Sequence, residues 1–590
     1  MKPKCETIKK IPLIVSLAFL IGCTSTPEPK PFHSKLDKYA YVKTYMRWYI
    51  KEQMDDKDLV GLSVALVDDQ KIVWSEGFGY ANKSKGIKAT PQTRYRAGSI
   101  TELFTDMAVM KLAEKGKMNI NKPFKTYLPA FSIKSRFGST NKITPRNMMT
   151  HHSGLPGDWL DRMFSPNPLP YTKYVKVIQN EYTAYKPNTI MSYSNLAITL
   201  LGHSVERVSG MKYAKYIKKI LFKPLDMKHS DLRMVLSGKN ASKSYNKGRE
   251  VVELPIGKVP AGALNSSVED LAHLVMMINA NGKYKKHQVL KASTLKKMLT
   301  VQNKNVKLDV GNKIGLGYFI DNTLLGKKDK VYYHGGVTIS QNAFFCVSPH
   351  SKLGVVVMSN NAGTDAEDIA KKLLQKAWEA KTGKKVKRVR PSVAHESDFF
   401  GVYATVAGRI IFKENSDDTY IAYTDDGMFK LYKAKNNLYK LVGLTLINHN
   451  VFDGVELYTD IIKGHRVIIA FWKGNKFIVG VRVDNLKPIP HTWRQYVGHY
   501  KLNNFEVGGI AVKEIELKIE DGFMLMKQTY RSGKKSTHII TPINDIEAIV
   551  EGLGKNMQET VCVKNGVFHT QGLRFKKVIK PPKKIRSYRM

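Results

Sequence analysis

Ser99 is the residue of this sequence whose surroundings most favour chemistry. It stands directly before an apolar stretch, Ile100–Glu114, and a glycine follows at Gly116. Apolar residues lie on most faces of this stretch, so it predicts a buried central helix that begins beside Ser99. A serine at the N-terminus of a helix lies close to free backbone N–H groups and to the positive end of the helix dipole, which stabilise a developing oxyanion. Ser99 is therefore a candidate nucleophile.

Three further polar segments follow Ser99 along the chain. They are the loop 143–156, which contains His151 and His152, the segment Tyr193-Ser194-Asn195, and the segment His334-Gly335-Gly336. Short patterns of this kind recur by chance in a chain of 590 residues, so none is informative alone. In order, spacing and flanking sequence, the four segments together resemble the serine β-lactamase-related family, over about residues 40–380. This family includes class C β-lactamases, penicillin-binding DD-peptidases, esterases and D-aminopeptidases.

The resemblance implies roles for individual residues. Ser99 would be the nucleophile and Tyr193 a proton shuttle, and the backbone N–H groups of Ser99 and Val337 would form the oxyanion hole. The residues expected to bind the substrate are Asn195, His334, Gly335, Gly336 and Val337. The adjacent histidines His151 and His152 are expected to pack or to form hydrogen bonds rather than to bind a metal. Neither a metal nor an organic cofactor is expected.

The sequence departs from the family at one position of the nucleophile motif. Family members carry a lysine three residues after the serine, whereas this chain carries Glu102. Residues i and i+3 share a helix face, so we expect Glu102 beside Ser99, with Asp106 continuing the same face. A carboxylate close to Tyr193 would raise the pKa of the phenol above its usual value of about 10. Tyr193 would then be a neutral hydrogen-bond donor.

Three interpretations of Glu102 are open. In the first, Glu102 is the base of an active hydrolase, because burial beside Asp106 would raise at least one carboxyl pKa of the pair towards neutrality. In the second, the site binds a ligand without turnover. In the third, Glu102 pairs with a lysine or arginine, or a metal bridges Glu102 and Asp106. Lys111 and Lys115 lie too far along the helix to be that cation.

The segments around these motifs predict one domain over residues 38–382. Alternating strands at 62–67 and 72–74 form a hairpin, and strands return at 343–347 and 354–358. A sheet whose strands come from both ends of the domain, with a helical block between them, fits this order. The predicted fold class is α+β, with a β-lactamase-like antiparallel sheet.

The last third of the chain predicts all-β structure. A basic linker at 383–395 precedes short alternating runs that are separated by turns. The tetrapeptides that begin at Phe400 and Val497, Phe-Gly-Val-Tyr and Val-Gly-His-Tyr, indicate a weak internal repeat. Each copy, over 396–488 and 489–590, would form a small antiparallel barrel of about seven or eight strands. Some D-aminopeptidase-like members of the family are similar in carrying two such lipocalin-like barrels, there as lids or substrate gates.

The first residues predict export and a lipid anchor. Four lysines within the first ten residues precede an apolar stretch at 11–22, which is too short to span a bilayer and is typical of a secretion signal. It ends in Leu20-Ile21-Gly22-Cys23, which resembles the bacterial lipoprotein cleavage box. We expect cleavage after residue 22, lipid on Cys23, a proline-rich tether at 23–37, and a location in the periplasm or at the outer membrane. An ordinary signal peptide with an incidental cysteine is the alternative.

Composition and charge restrict the partners. Apolar residues make up 43% of the chain, which excludes disordered and collagen-like classes. The net charge of +45 favours anionic envelope polymers or lipid headgroups, whereas no motif supports nucleic acid and export argues against it. Aromatic residues that alternate with lysines are expected in the barrel core: Tyr420, Tyr423, Phe429, Tyr432 and Tyr439. The four cysteines are too dispersed for a disulfide scaffold or a zinc site.

These observations favour an envelope lipoprotein that opens an ester, amide or D-amino-acid peptide bond through an acyl-Ser99 intermediate. The substrate would be a small molecule or a peptide, and the barrels would restrict access or hold the substrate. The alternative is a degenerate family member that keeps the pocket for an envelope ligand, such as a peptidoglycan fragment, an anionic glycan or a lipid, without turnover.

Overall fold

The computed structural model describes residues 27–578 apart from 164, 327, 387–391, 416–418, 445–453, 473, 485–486 and 505–511. Cys23, the predicted leader and the start of the predicted tether lie outside the described residues. The described chain forms a domain of mixed helices and sheet followed by two closed β-barrels, which confirms the predicted fold class. Within these residues, no helix combines the length and hydropathy needed to cross a bilayer.

The first domain contains α-helices on both faces of its main sheet. The described helices are α1 (Ala40–Asp56), α2 (Ile100–Glu114), α3 (Pro145–Met149), α4 (Tyr174–Val177), α5 (Asn195–Ser209), α6 (Tyr213–Ile217), α7 (Val259–Gly262), α8 (Val268–Asn279), α9 (Ala292–Met298) and α10 (Ala366–Thr382). Single turns of 3-10 or π helix lie at Phe124–Thr126, Thr140–Lys142, Tyr171–Lys173, Ile178–Asn180, Lys218–Phe222 and Lys307–Asp309.

The strands of this domain form one antiparallel sheet and three short pairs. The described strands are β1 (Gly61–Asp68), β2 (Lys71–Asn82), β3 (Ile87–Lys88), β4 (Tyr95–Gly98), β5 (Ser244–Asn246), β6 (Arg249–Val251), β7 (Leu264–Ser266), β8 (Lys283–Tyr284), β9 (His287–Gln288), β10 (Lys313–Ile314), β11 (Phe319–Asp321), β12 (Val331–Val337), β13 (Asn342–Ser348) and β14 (Leu353–Ser359). The main sheet has the order β10-β11-β12-β13-β14-β1-β2-β3. Strands from both ends of the domain therefore meet at the β14–β1 pair, as the sequence predicts.

Helix α2 lies in the core between this sheet and the helical block. Its bounds are those predicted from sequence, and apolar residues bury it on nearly every face. Phe104 is fully buried, with its ring centroid 5.5 Å from that of Phe222. Helices α1 and α10 cover the other face of the sheet in a second apolar cluster. The sheet and the helical block thus fix the position of α2, and with it the position of Ser99, which directly precedes the helix.

Two barrels follow the helix α10. The strands of the first barrel are β15 (Gly401–Thr405), β16 (Gly408–Glu414), β17 (Tyr420–Thr424), β18 (Gly427–Lys433), β19 (Tyr439–Gly443), β20 (Glu456–Ile462), β21 (His465–Trp472) and β22 (Asn475–Arg482). A short 3-10 segment lies at Lys435–Asn437, and the helix α11 (His491–Gln495) joins the barrels. The strands of the second barrel are β23 (Gly498–Leu502), β24 (Val512–Glu520), β25 (Phe523–Tyr530), β26 (Lys535–Pro542), β27 (Glu547–Val550), β28 (Thr560–Lys564), β29 (Val567–Thr570) and β30 (Leu573–Val578).

The internal repeat marks equivalent positions in the two barrels. Gly401 and Gly498 begin the first strand of each barrel, and both have positive φ, 122° and 141°. A Cβ on Gly401 would lie 2.9 Å from the Arg482 side chain, and a Cβ on Gly498 would lie 2.9 Å from the Lys577 side chain. Arg482 and Lys577 lie on the last strand of each barrel, which pairs with the first strand and closes the barrel. The glycine therefore lets the first and last strands approach closely.

The aromatic residues of the first barrel divide between its core and its surface. Phe429 and Tyr439 are buried in the barrel core, and Tyr420 packs against it. The core prediction was wrong for Tyr423 and Tyr432, whose exposed fractions are 38% and 37%. These two side chains lie on the outer face, and the Lys413 ammonium lies over the Tyr423 ring, 5.5 Å from its centroid.

We expect Phe104→Ala to destabilise the first domain by about 3–5 kcal/mol, because it leaves a cavity in the packing of α2. Chemical denaturation followed by tryptophan fluorescence measures the change. Phe137→Ala is the matched control, since Phe137 is 45% exposed and its loss opens no interior cavity. Equal destabilisation by the two substitutions would contradict a core role for α2.

Candidate active site

Ser99 lies at the junction of β4 and α2, at the wall of a large cavity. The cavity has a volume of about 1010 Å³, is open to solvent, and is lined by residues of the first domain and both barrels. It is lined by Ser99 and Tyr193 and by every predicted substrate-binding residue: Asn195, His334, Gly335, Gly336 and Val337. The structure therefore brings together the residues that the sequence motifs place far apart.

Tyr193 interacts with both Ser99 and Glu102. The Tyr193 hydroxyl donates to Glu102 Oε1 at 2.5 Å. Burial first, and then Glu102, raise the pKa of Tyr193 well above its usual value, while Ser99 acts in the opposite direction. Because the single phenolic proton is directed to Glu102, the Tyr193 oxygen keeps a lone pair that can accept the Ser99 proton.

Glu102 is a buried carboxyl group with a pKa close to neutrality. Burial raises its pKa to about 7, against the lowering effects of His334, the Tyr193 hydrogen bond and Lys555. The carboxylate of Asp106, one turn further along α2, lies beside Gly317. A Cβ on Gly317 would be only 2.4 Å from Asp106 Oδ2. Burial, and to a smaller extent Glu102, raise the pKa of Asp106 well above its usual value.

Two buried histidines face the second oxygen of Glu102. His151 Nε2 lies 3.3 Å and His334 Nε2 lies 3.8 Å from Glu102 Oε2. The backbone N–H of Ser194 donates to His151 Nδ1 at 3.2 Å, which places the proton of the neutral ring on Nε2, the nitrogen nearer to Glu102. His334 Nδ1 lies 2.7 Å from the Gly335 carbonyl oxygen and donates to it, so Nε2 of His334 presents a lone pair.

The same three side chains form a possible metal-ligand group. One ligand atom each from Glu102, His151 and His334 lies within 4.8 Å of the others. A metal-binding imidazole needs a free lone pair on the facing nitrogen and a donor at the other nitrogen. His334 meets this condition, whereas the Ser194 N–H directed at Nδ1 gives His151 the opposite tautomer. The hydrogen bond from Ser194 therefore gives His151 the tautomer of a donor at Nε2 and not that of a metal ligand.

Asn195 lies within a buried charge network that sequence reasoning missed. Its Nδ2 donates to both carboxylate oxygens of Asp158 at 3.0 Å. Asp158 also contacts Lys258 Nζ at 2.6 Å and Lys555 Nζ at 3.1 Å. Burial alone would raise the pKa of Asp158, but the two lysines and these hydrogen bonds lower it to about 2. Asp158 is therefore ionised at neutral pH.

The second barrel contributes side chains to this site. Lys555 lies in the loop 551–559 between β27 and β28, and its Nζ is 5.1 Å from the centroid of the Tyr193 ring. Glu559 Oε1 accepts a hydrogen bond from the backbone N–H of Gly157 at 2.7 Å, and burial raises the Glu559 pKa to about 7. The glycines of this loop predict a turn, but no local pattern indicates that the turn reaches Ser99.

The oxyanion-hole segments approach each other closely. A Cβ on Gly98 would lie 2.7 Å from the backbone nitrogen of Val337, and a Cβ on Gly336 would lie 3.1 Å from that of Ser99. The two N–H groups assigned to the oxyanion hole thus belong to adjacent backbone segments beside the nucleophile. Absence of side chains at both glycines is what permits this approach.

The chain belongs to the β-lactamase family, whose profile matches residues 46–377. Protein flp of Staphylococcus aureus strain COL is a relative, 26% identical over 324 residues, which are 53% of this chain and 61% of that protein. The chain thus spans about three fifths of the length of this relative.

Two solved structures share the fold beyond the first domain. The octameric penicillin-binding protein homologue from Pyrococcus abyssi matches with a TM-score of 0.52 and 23% identity, over 82% of this chain and 98% of the other. SurE matches with a TM-score of 0.57 and 16% identity, over 76% of this chain and 100% of the other. Both matches cover more of the chain than the family domain at residues 46–377. At these identities they show a shared fold.

We expect Gly336→Ala to abolish reaction at Ser99, because its Cβ would lie 1.9 Å from the Ala97 carbonyl oxygen and force the two oxyanion-hole segments apart. Gly335→Ala is the matched control, since its Cβ would meet nothing closer than the Phe344 ring at 3.6 Å. Labelling of Ser99 with a fluorophosphonate at equal protein concentration measures the effect. Full labelling of the Gly336 variant would contradict the predicted role of this approach.

Proposed function

We propose that this protein is a serine hydrolase of the cell envelope, anchored by lipid on Cys23. It opens an ester, amide or D-amino-acid peptide bond through an acyl-Ser99 intermediate. The observation that carries the proposal is the hydrogen bond from Tyr193 to Glu102, with Tyr193 and Ser99 together at the wall of the 1010 Å³ cavity. Membership of the β-lactamase family supports the reaction type.

In the acylation step, the Ser99 oxygen attacks the carbonyl carbon of the substrate. As the new C–O bond forms, the Ser99 proton moves to the Tyr193 oxygen and the Tyr193 proton moves to Glu102. The carbonyl oxygen gains the negative charge and is stabilised by the N–H groups of Ser99 and Val337. When the intermediate collapses, the leaving group departs with a proton that returns from Glu102 through Tyr193. The products of this step are acyl-Ser99 and the free alcohol or amine.

Deacylation uses the same groups with water as the nucleophile. Water loses its proton through Tyr193 to Glu102 and attacks the acyl carbon, and collapse of the intermediate returns a proton to Ser99. The carboxyl group of Glu102 therefore starts and ends each half-reaction ionised.

The electrostatics of the site suit a relay rather than a free phenolate. Tyr193 has a strongly raised pKa, so an isolated phenolate is unfavourable at neutral pH. Coupled transfer avoids that species, because Tyr193 gains one proton as it loses another. Glu102 has a pKa of about 7, which matches a base that works near neutral pH.

The net charge supports a location beside anionic envelope components. A chain with an excess of 45 basic over acidic residues is attracted to lipid headgroups or anionic glycans. A lipid on Cys23 and a proline-rich tether would place the cavity close to such a surface.

We expect a fluorophosphonate to label Ser99 covalently, with loss of the adduct in Ser99→Ala. Glu102→Gln should slow labelling by about 10²–10⁴-fold, because the amide cannot accept the relayed proton. Intact-mass and peptide mass spectrometry measure the adduct. If the wild-type protein gives no adduct but Glu102→Lys gains one with the same reagent or with a fluorescent penicillin, the protein is a disarmed binding member of the family.

We expect the rate of Ser99 labelling to rise with pH and to level off above a midpoint near 7. Glu102 is the base, and its ionised fraction increases tenfold per pH unit below its pKa of about 7. Stopped-flow labelling from pH 5 to 9 measures the profile. Glu559 has a similar pKa, so Glu559→Gln distinguishes the two groups: the midpoint should persist in this variant and disappear in Glu102→Gln. Loss of the midpoint in Glu559→Gln would assign the titration to Glu559 instead.

A further inference from the structure

The loop 551–559 of the second barrel is fixed within the cavity of the first domain. The Tyr185 hydroxyl donates to the Gly554 carbonyl oxygen at 3.0 Å and lies 2.9 Å from the Gly554 nitrogen. Ser192 Oγ donates to the same carbonyl oxygen at 3.3 Å, and Glu559 accepts from the Gly157 N–H at 2.7 Å. These contacts hold both sides of the turn, so the residue at its tip, Lys555, has a defined position.

Lys555 is directed towards the proton relay. Its Nζ lies 3.1 Å from Asp158 Oδ2 and over the Tyr193 ring, 5.1 Å from the centroid. Burial would lower the pKa of Lys555, but Asp158, Glu102 and Glu559 outweigh it and raise the pKa. Lys555 is therefore a permanent cation beside Tyr193 and the buried carboxyl group of Glu102.

The other groups that face Glu102 do not supply a lasting positive charge. Protonated His334 would lower the pKa of Glu102, but burial lowers the pKa of His334 itself, and it lowers that of His151 to about 3, so both rings are mainly neutral at pH 7. Tyr193 is a neutral donor, and Asp106 on the same helix has a strongly raised pKa. Asp158 is an anion that opposes ionisation of Glu102 and is itself neutralised by Lys258.

We propose that Lys555 supplies, from the second barrel, the cation that the nucleophile helix lacks, and so keeps Glu102 in its proton-accepting form. Lys555 is a positioning residue in this scheme: it acts through Glu102 and Tyr193 and need not touch the reacting atoms. The inference rests on the proposed function, because it assigns a purpose to the charge within that relay. It also makes the second barrel a component of the catalytic site.

A structural role alone does not account for this lysine. Asp158 retains Lys258 at 2.6 Å and two hydrogen bonds from Asn195 when Lys555 is removed. The loop retains the Tyr185, Ser192 and Glu559 contacts, none of which involves the Lys555 side chain. Lys555→Met, which preserves the length of the side chain, therefore removes a charge from a loop that stays in place.

The test compares the full-length wild-type protein with Lys555→Met, Lys555→Arg and the exposed control Lys564→Met. The ionisation of Glu102 is followed by infrared difference spectroscopy of its carboxyl band, assigned with Glu102→Gln, and needs no turnover. The rate of Ser99 labelling is measured over the same pH range. We expect Lys555→Met to raise both midpoints by about one pH unit, which makes labelling below pH 7 about tenfold slower. Lys555→Arg should restore the wild-type profile, and Lys564→Met should retain it.

A second comparison reverses the sign of the effect. In the Glu102→Lys background, two lysines would repel each other, so adding Lys555→Met should accelerate Ser99 labelling there, although it slows labelling in the native background. Equal effects in both backgrounds, or an unchanged infrared midpoint in Lys555→Met, would overturn the role of Lys555. A wild-type protein without any Ser99 adduct, but with a midpoint that moves in Lys555→Met, would overturn the proposed function and leave the role of Lys555 intact.

Discussion

The hydrogen bond from Tyr193 to Glu102 is the interaction on which the site depends. A buried carboxylate is costly unless donors and charges surround it, and the first turn of α2 supplies only its dipole to Glu102. The side chains around Glu102 come from separate parts of the chain: the phenol of Tyr193, the imidazole of His151, and a lysine from the second barrel. The ionisation of Glu102 therefore depends on how these parts pack together.

Features that depend on local sequence were predictable. The bounds of α2 follow from a run of apolar residues between Ser99 and Gly116, and the pairing of β14 with β1 follows from two alternating strands at opposite ends of the domain. The repeat at Gly401 and Gly498 identified the first strand of each barrel, because a glycine is required where the barrel closes. Periodicity and turn chemistry are properties of a few neighbouring residues, so one sequence displays them.

Features that depend on distant packing were not predictable. Lys555 looks like any loop lysine in a chain with 95 basic residues, and only the docking of the barrel places it over Tyr193. The same holds for His151, whose tautomer is set by a hydrogen bond from the backbone N–H of Ser194. Tyr423 and Tyr432 were predicted in the barrel core but lie on its outer face. Alternation along a strand does not reveal which of its two faces is inside the barrel.

The distance in sequence between Ser99 and Lys555 has a consequence for the order of folding. In an exported chain the nucleophile helix reaches the folding compartment before the loop 551–559, which lies near the other end of the chain. Domains fold largely in the order in which they emerge, so a folded first domain exists for some time without Lys555. During that interval Ser99 would react slowly, and full reactivity would arise only once the second barrel has folded.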